Sequence, residues 1–242
     1  SPYEKNIVTN QPDFSLAVKK FARSAAGRDV YPEDMCPEEI LLQTMDYLLG
    51  ELVNDVRYDY TQLNFFLTDR FRSIRSNLKW LGKSTITRAL ILELQIRYFI
   101  LTGYILIDAS LEDFTPSQNQ KAISDCFHDL FELYDNGIVT THQLEFYAYA
   151  YLYQIREVSN LPLIFMKHPL MIYAGLLLQY IETLNDTMLF KTLLSPKCPI
   201  LFSCIILQIH IDKFRTQLIN ILVNNVLNIN KKIYPNRSVQ FL

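Results

Sequence analysis

A chain of 242 residues can form one sizeable domain or one elongated array, and a net charge of −2 with a pI near 6.1 is unlike the basic balance of an autonomous nucleic-acid binder. Half of the residues are hydrophobic and a fifth charged, as in a folded soluble protein, and only six are Gly, too few for a turn-rich all-β chain. No apolar run reaches bilayer length, and Ser1-Pro2-Tyr3-Glu4 does not open a signal sequence, so neither a membrane contact nor secretion is expected.

Residues 1–37 hold Pro2, Pro12, Pro32 and Pro37 and little apolar periodicity, which predicts an extended N-terminal arm. A helix is expected from Glu38 to Arg57, with Ile40, Leu41, Met45, Leu48, Leu49 and Leu52 inward. A second follows from Thr61 to Trp80, where Phe71, Ile74, Leu78 and Leu81 recur at steps of three and four. Gly82 is placed to end it. The next, Thr85 to Ile107, is apolar nearly all round, through Ile86, Leu90, Ile91, Leu94, Ile96, Tyr98, Phe99 and Leu101, and so should be central and buried. Within it Glu93 and Arg97 lie four apart with the acid first, the favourable order for an intrahelical ion pair.

Asp108 to Ser117 reads as a polar connection before a helix to Tyr134, and Asn136-Gly137 as a tight turn. Thr140 and Gln143 have the spacing of a capping box, with Leu144, Tyr147, Ala148 and Tyr151 continuing the apolar face. Two further hairpins fit around Pro169 to Ser195 and Pro199 to Leu227. Successive helix–turn–helix units of this size predict an all-α chain, an α-solenoid in which each pair packs on its neighbours. The expected division is an arm over 1–37, a helical domain over 38–227 and a tail over 228–242.

Charge is unevenly spread. From Asp29 to Asp59 there are nine acids and one base, and from Thr187 to Leu242 seven bases and one acid. Arg70, Arg72, Arg75, Lys79, Lys83 and Arg88 succeed one another with no acid between them. These six residues are the candidate site for RNA phosphates or an acidic partner, with Arg72, Arg75 and Lys79 on a face adjoining the apolar one. The alternative is a merely solvated face. If Arg75 and Lys79 are exposed, reversing both to Glu should leave the fold intact.

Cys36, Cys126, Cys198 and Cys204 and the four His residues show no metal-ligand spacing, so buried free thiols and no metal are expected. Gly82-Lys83-Ser84 lacks the glycine five residues upstream that a phosphate loop needs; that position is Asn77. No nucleophile elbow is present. Neither a cofactor nor catalysis is called for.

The sequence Asp69-Arg70-Phe71-Arg72-Ser73-Ile74-Arg75 resembles the signature of the SAC/GANP family, helical scaffolds of the nuclear transcription-and-export machinery related to proteasome-lid and initiation-factor subunits. Four further blocks follow the family's order. They are Lys20-Phe21-Ala22-Arg23-Ser24-Ala25-Ala26-Gly27, Pro32 to Leu48, Glu93-Leu94-Gln95-Ile96-Arg97-Tyr98-Phe99 and Glu145-Phe146-Tyr147-Ala148-Tyr149, with Asn185 to Lys191 a looser match. Thr68 stands where the family usually has Trp, Asn77 where it has an acid and Phe99 where it has His.

The resemblance implies a TPR/PCI-like solenoid closing on a winged helix, here truncated or reduced because only Asn228 to Leu242 remains for it. It implies a non-enzymatic scaffold of a nuclear mRNA-export complex, located in the nucleus at the nuclear pore. Its implied partners are a second PCI-type helical subunit, a small acidic disordered subunit, a DEAD-box ATPase and RNA. A proteasome-lid or signalosome-like assembly subunit is the alternative. Arg70, beside Asp69 and the phenylalanines, is read as holding the signature helix against its neighbours.

Overall fold

The computed structural model describes residues 1–6, 8–22, 33, 35–82, 85–155, 163–210 and 215. Among these, all regular elements are helical; the one strand-like contact is an isolated bridge between Lys5 and Pro12. The described part of the arm is irregular, with single 3-10 turns at Pro2–Glu4 and Phe14–Leu16. It is pinned by Tyr3, whose ring lies 4.7 Å from those of both Tyr58 and Phe66. Then come α1 (Glu38–Asp46), a π-helical stretch (Tyr47–Leu52), α2 (Tyr60–Leu81), α3 (Ile86–Ile105), α4 (Pro116–Asp135), α5 (Gln143–Leu152), the short α6 (Leu163–Met166), α7 (Pro169–Glu182) and α8 (Asp186–Leu193). Residues 200–210 are again helical. The expected tail over 228–242 and the helix beyond 210, apart from Arg215, lie outside the described residues, as do Arg23 and Lys83. No helix among the described residues is long and apolar enough to cross a membrane.

The helices form an α-solenoid. Here α3 packs against α1, α2 and α4, while α5 packs on α7, and α7 on α6 and α8. The α2–α3 joint is aromatic: Phe71 meets Tyr98 at 5.0 Å and Phe99 at 5.9 Å, both edge to face. Phe131 of α4 stacks on Tyr147 of α5 at 5.4 Å. Tyr149 of α5 meets Phe202 at 5.8 Å. Gly103 lets the 200–210 stretch approach α3. A Cβ there would lie 2.3 Å from Gln208 Oε1 and 2.8 Å from Asn119 Nδ2. Gln208 Nε2 donates to the Ile100 carbonyl at 2.6 Å.

Several expectations are corrected by this packing. The first helix is shorter than Glu38 to Arg57, since the regular turns end at Asp46 and the π-helical stretch at Leu52. Leu41, Met45, Leu48 and Leu52 line its buried face, whereas Ile40, about 100° round the helix, is 47% exposed. α3 is central but not buried all round, for Ile86 and Leu101 reach solvent.

Glu93 and Arg97 do not pair along α3. Glu93 accepts hydrogen bonds from Tyr134 Oη at 2.8 Å and from Thr140 Oγ1. Arg97 instead reaches α5, placing Nε and Nη2 each 2.8 Å from the Glu145 carboxylate. The capping box fails for the same reason: Thr140 gives its hydroxyl to Glu93, and α5 starts after His142 without a side-chain cap.

Elsewhere the termini follow the sequence. Gly82 ends α2 in the left-handed conformation at φ 64°. Gly137 (φ 87°) closes α4, its N–H bonding Tyr134 O while the Ile138 N–H bonds Leu133 O.

Candidate functional site

α2 starts where the Asp59 side chain accepts the Gln62 N–H at 3.0 Å. Its Phe71, Ile74 and Leu78 are buried against α3. That rotation turns Arg72, Arg75 and Lys79 toward α4. α4 buries Ala122, Ile123, Cys126, Phe127 and Leu130, and sets Gln118, Lys121 and Asp125 along the edge facing α2. Between the two helices runs a groove of about 610 Å³, lined by Arg72, Arg75, Ser76, Lys79, Gln118, Lys121, Ala122 and Asp125 and by Phe21 of the arm. It adjoins a cavity of about 200 Å³ that shares Arg72, Gln118 and Ala122 with it. The cavity is otherwise lined by Asn64, Phe65, Thr68, Asp69, Phe99, Phe114, Thr115 and Asn119.

The groove's cations differ in their freedom. Arg75 is inserted rather than exposed. Its Nη1 donates to the Ala122 carbonyl at 3.4 Å and to Cys126 Sγ at 3.0 Å, and its Nη2 lies 3.7 Å from Asp125. Burial pushes the Cys126 thiol up to about 11, only partly offset by Arg75, so Cys126 is a neutral acceptor near pH 7. Lys79 lies 2.9 Å from Asp129, a nearly buried carboxylate, while its own side chain stays 57% exposed. Arg72 and Lys121 have no hydrogen bond or ion pair among the described residues and line the groove from opposite helices.

The other predicted residues lie elsewhere. Arg70 is 6% exposed and faces the arm, bonding Glu4 at 3.0 Å and Asp69 at 2.6 Å with its guanidinium 4.3 Å from the Phe66 ring. Arg88 is buried in the first turn of α3, beside Thr85, which caps that helix. Neither lines the groove. Lys83 lies outside the described residues. Lys121, Asp125 and Asp129 were missed. They recur at i, i+4 and i+8 on α4, a legible stripe, but nothing local says that it faces α2.

The blocks of the resemblance meet one another in space. Asp69 of the signature accepts the Phe21 N–H at 3.2 Å, so the block beginning at Lys20 is tied to α2. Glu4 accepts from Arg70 and from the Val18 N–H. Burial works against its charge, but these bonds outweigh it and hold its carboxyl below the usual range. Arg97 of the third block grips Glu145 of the fourth and lies 4.8 Å from the Phe146 ring, and Tyr149 Oη adds a bond to Glu145 at 2.7 Å. Burial opposes the Glu145 charge too, yet the Arg97 and Tyr149 hydrogen bonds leave its carboxyl lowered. Arg70 and Arg97 are thus joints between elements, and the accessible positive charge of the groove lies on Arg72, Lys79 and Lys121.

Comparison with known proteins finds relatives of the same family name. A SAC3 family protein 1 from Schizosaccharomyces pombe is 29% identical over 161 residues, covering 64% of this chain and 15% of that protein. A SAC3 family protein B from Arabidopsis thaliana is 30% identical over 155 residues, 60% of this chain and 9% of the relative. The chain therefore corresponds to a small part of the length of either. The family model described as SAC3/GANP family matches residues 1–242. With Asp69 tying the Lys20 block to the signature, Arg97 tying the third block to the fourth, and the family model matched from end to end, the chain belongs to the SAC3/GANP family.

Proposed function

We propose that the chain is a non-catalytic scaffold subunit of a nuclear, transcription-coupled mRNA-export complex, acting at the nuclear pore. The observation that carries this reading is the family match along the whole chain. It is supported by the form of the molecule, a helical array in which charged side chains such as Arg70, Arg97 and Glu145 join separate elements. Its partners are a second PCI-type helical subunit and a small acidic disordered subunit, with a DEAD-box ATPase engaged by the assembly. The accessible cations of the groove, Arg72 and Lys79 with Lys121, are the contact offered to RNA or to one of these proteins.

The test is gentle affinity purification of the tagged full-length protein from nuclear extract, with and without nuclease. Recovery of export and pore subunits that survives nuclease is the expected result. Recovery of proteasome-lid or signalosome subunits instead would overturn the export reading in favour of that assembly. Recovery of RNA alone, lost with nuclease, would overturn the scaffold.

A further inference from the structure

We infer that the α2–α4 groove binds a phosphorylated serine or threonine of a protein partner, with the phosphate between Arg72 and Lys121 and a neighbouring apolar side chain of the peptide in the adjoining cavity. The inference rests on the scaffold reading for the presence of a protein partner and adds the chemistry by which that partner is recognised.

The positive charge is local. Arg72 and Lys121 are unpaired among the described residues, whereas Arg75 and Lys79 are held by Asp125 and Asp129. Asp69 and Asp125 also line the two connected spaces. A nucleic-acid strand carries a charge at each nucleotide and would run its backbone past these carboxylates. One dianionic head group on an otherwise neutral peptide meets the two free cations and avoids the acids. The planar fork of an Arg guanidinium engages two phosphate oxygens at once, and a Lys on the facing helix supplies a second charge.

The adjoining 200 Å³ cavity shares Arg72 with the groove. The rings of Phe65, Phe99 and Phe114 suit an apolar side chain, and the amides of Asn64 and Gln118 suit peptide backbone. Phe65 is 50% exposed, so the cavity opens to an incoming chain.

The experiment probes the full-length protein with an oriented peptide library fixed on a central phosphoserine or phosphothreonine, beside the same library unphosphorylated and an oligouridylate. The phosphorylated library should be retained at least about tenfold over the unphosphorylated one, with apolar residues enriched at one position beside the phosphate. Arg72→Ala with Lys121→Ala should abolish that preference, while circular dichroism shows the fold intact. Phe65→Ala should erase the apolar enrichment and keep the phosphate preference. Equal retention of both libraries would overturn the inference, as would oligouridylate binding that the double variant abolishes without any phosphopeptide preference. Phosphopeptide selection without recovery of export subunits from nuclear extract would sink the export assignment and leave the groove assignment standing.

Discussion

Arg97 and Glu145 show how much one side-chain joint matters. Arg97 makes two hydrogen bonds of 2.8 Å to Glu145, and Tyr149 adds a third. Truncating Arg97 to Ala leaves that carboxylate half-buried with Tyr149 and His142 as its remaining neighbours. Hydrogen bonds to charged groups contribute about 1.5–3 kcal/mol, so urea unfolding should show Arg97→Ala less stable by about 2 kcal/mol. The same joint sets a pH dependence. Because the folded pKa of Glu145 is lowered, its stabilisation is present above the ordinary value of 4.5 and is lost as pH falls through the lowered one. Glu4 behaves alike. Unfolding followed from pH 7 to pH 3 should therefore show a steep acid limb, and Glu145→Gln should make it shallower.

At the scale of elements, the 200–210 stretch is seated by an absence. Gly103 lies inside α3, where Ala would ordinarily gain about 1 kcal/mol over Gly. A methyl there would meet Gln208 and Asn119, which bond the Ile100 and Phe99 carbonyls. Overpacking of this kind costs about 1–3 kcal/mol. Gly103→Ala should thus destabilise by about 1 kcal/mol net and speed amide exchange over 200–210, and much of that loss should vanish in a Gln208→Ala background. α3 itself was legible from composition, and its burial shows how far composition goes. Phe99 is 3% exposed and wedged against Phe71 and Tyr98, so Phe99→Ala should cost about 3–5 kcal/mol in a chemical denaturation curve. Ile86 and Leu101 are just as apolar but are exposed among the described residues.

For the molecule as a whole, the groove decides what a charge-reversal experiment measures. Arg75→Glu would break bonds to Ala122 and Cys126 and set a carboxylate beside Asp125 and Asp129, at an expected cost of about 3–5 kcal/mol. Arg72→Glu, on a side chain with no such bonds, should change thermal stability by less than about 0.5 kcal/mol. Reversal of Arg75 and Lys79 together would therefore report on folding, and reversal of Arg72 and Lys121 on binding.

The sequence by itself determined the helical character of the chain, the inward face of α2, most of that of α1, and the ends of α2 and α4 at Gly82 and Gly137. These depend on periodicities of three and four residues and on left-handed backbone that Gly adopts without penalty, all interactions within a turn or two. It also held the blocks by which the family is recognised. Only the tertiary structure decided the partners of the charges. Glu93 and Arg97 were close enough along α3 to pair, yet each gained a better-placed partner from another helix. Arg70 and Arg72, two residues apart, went to opposite fates, one into the arm's joint and one to the groove. Helix spacing fixes which residues share a face, but burial of that face depends on the helix packed against it, and that helix arrives from a distant part of the chain.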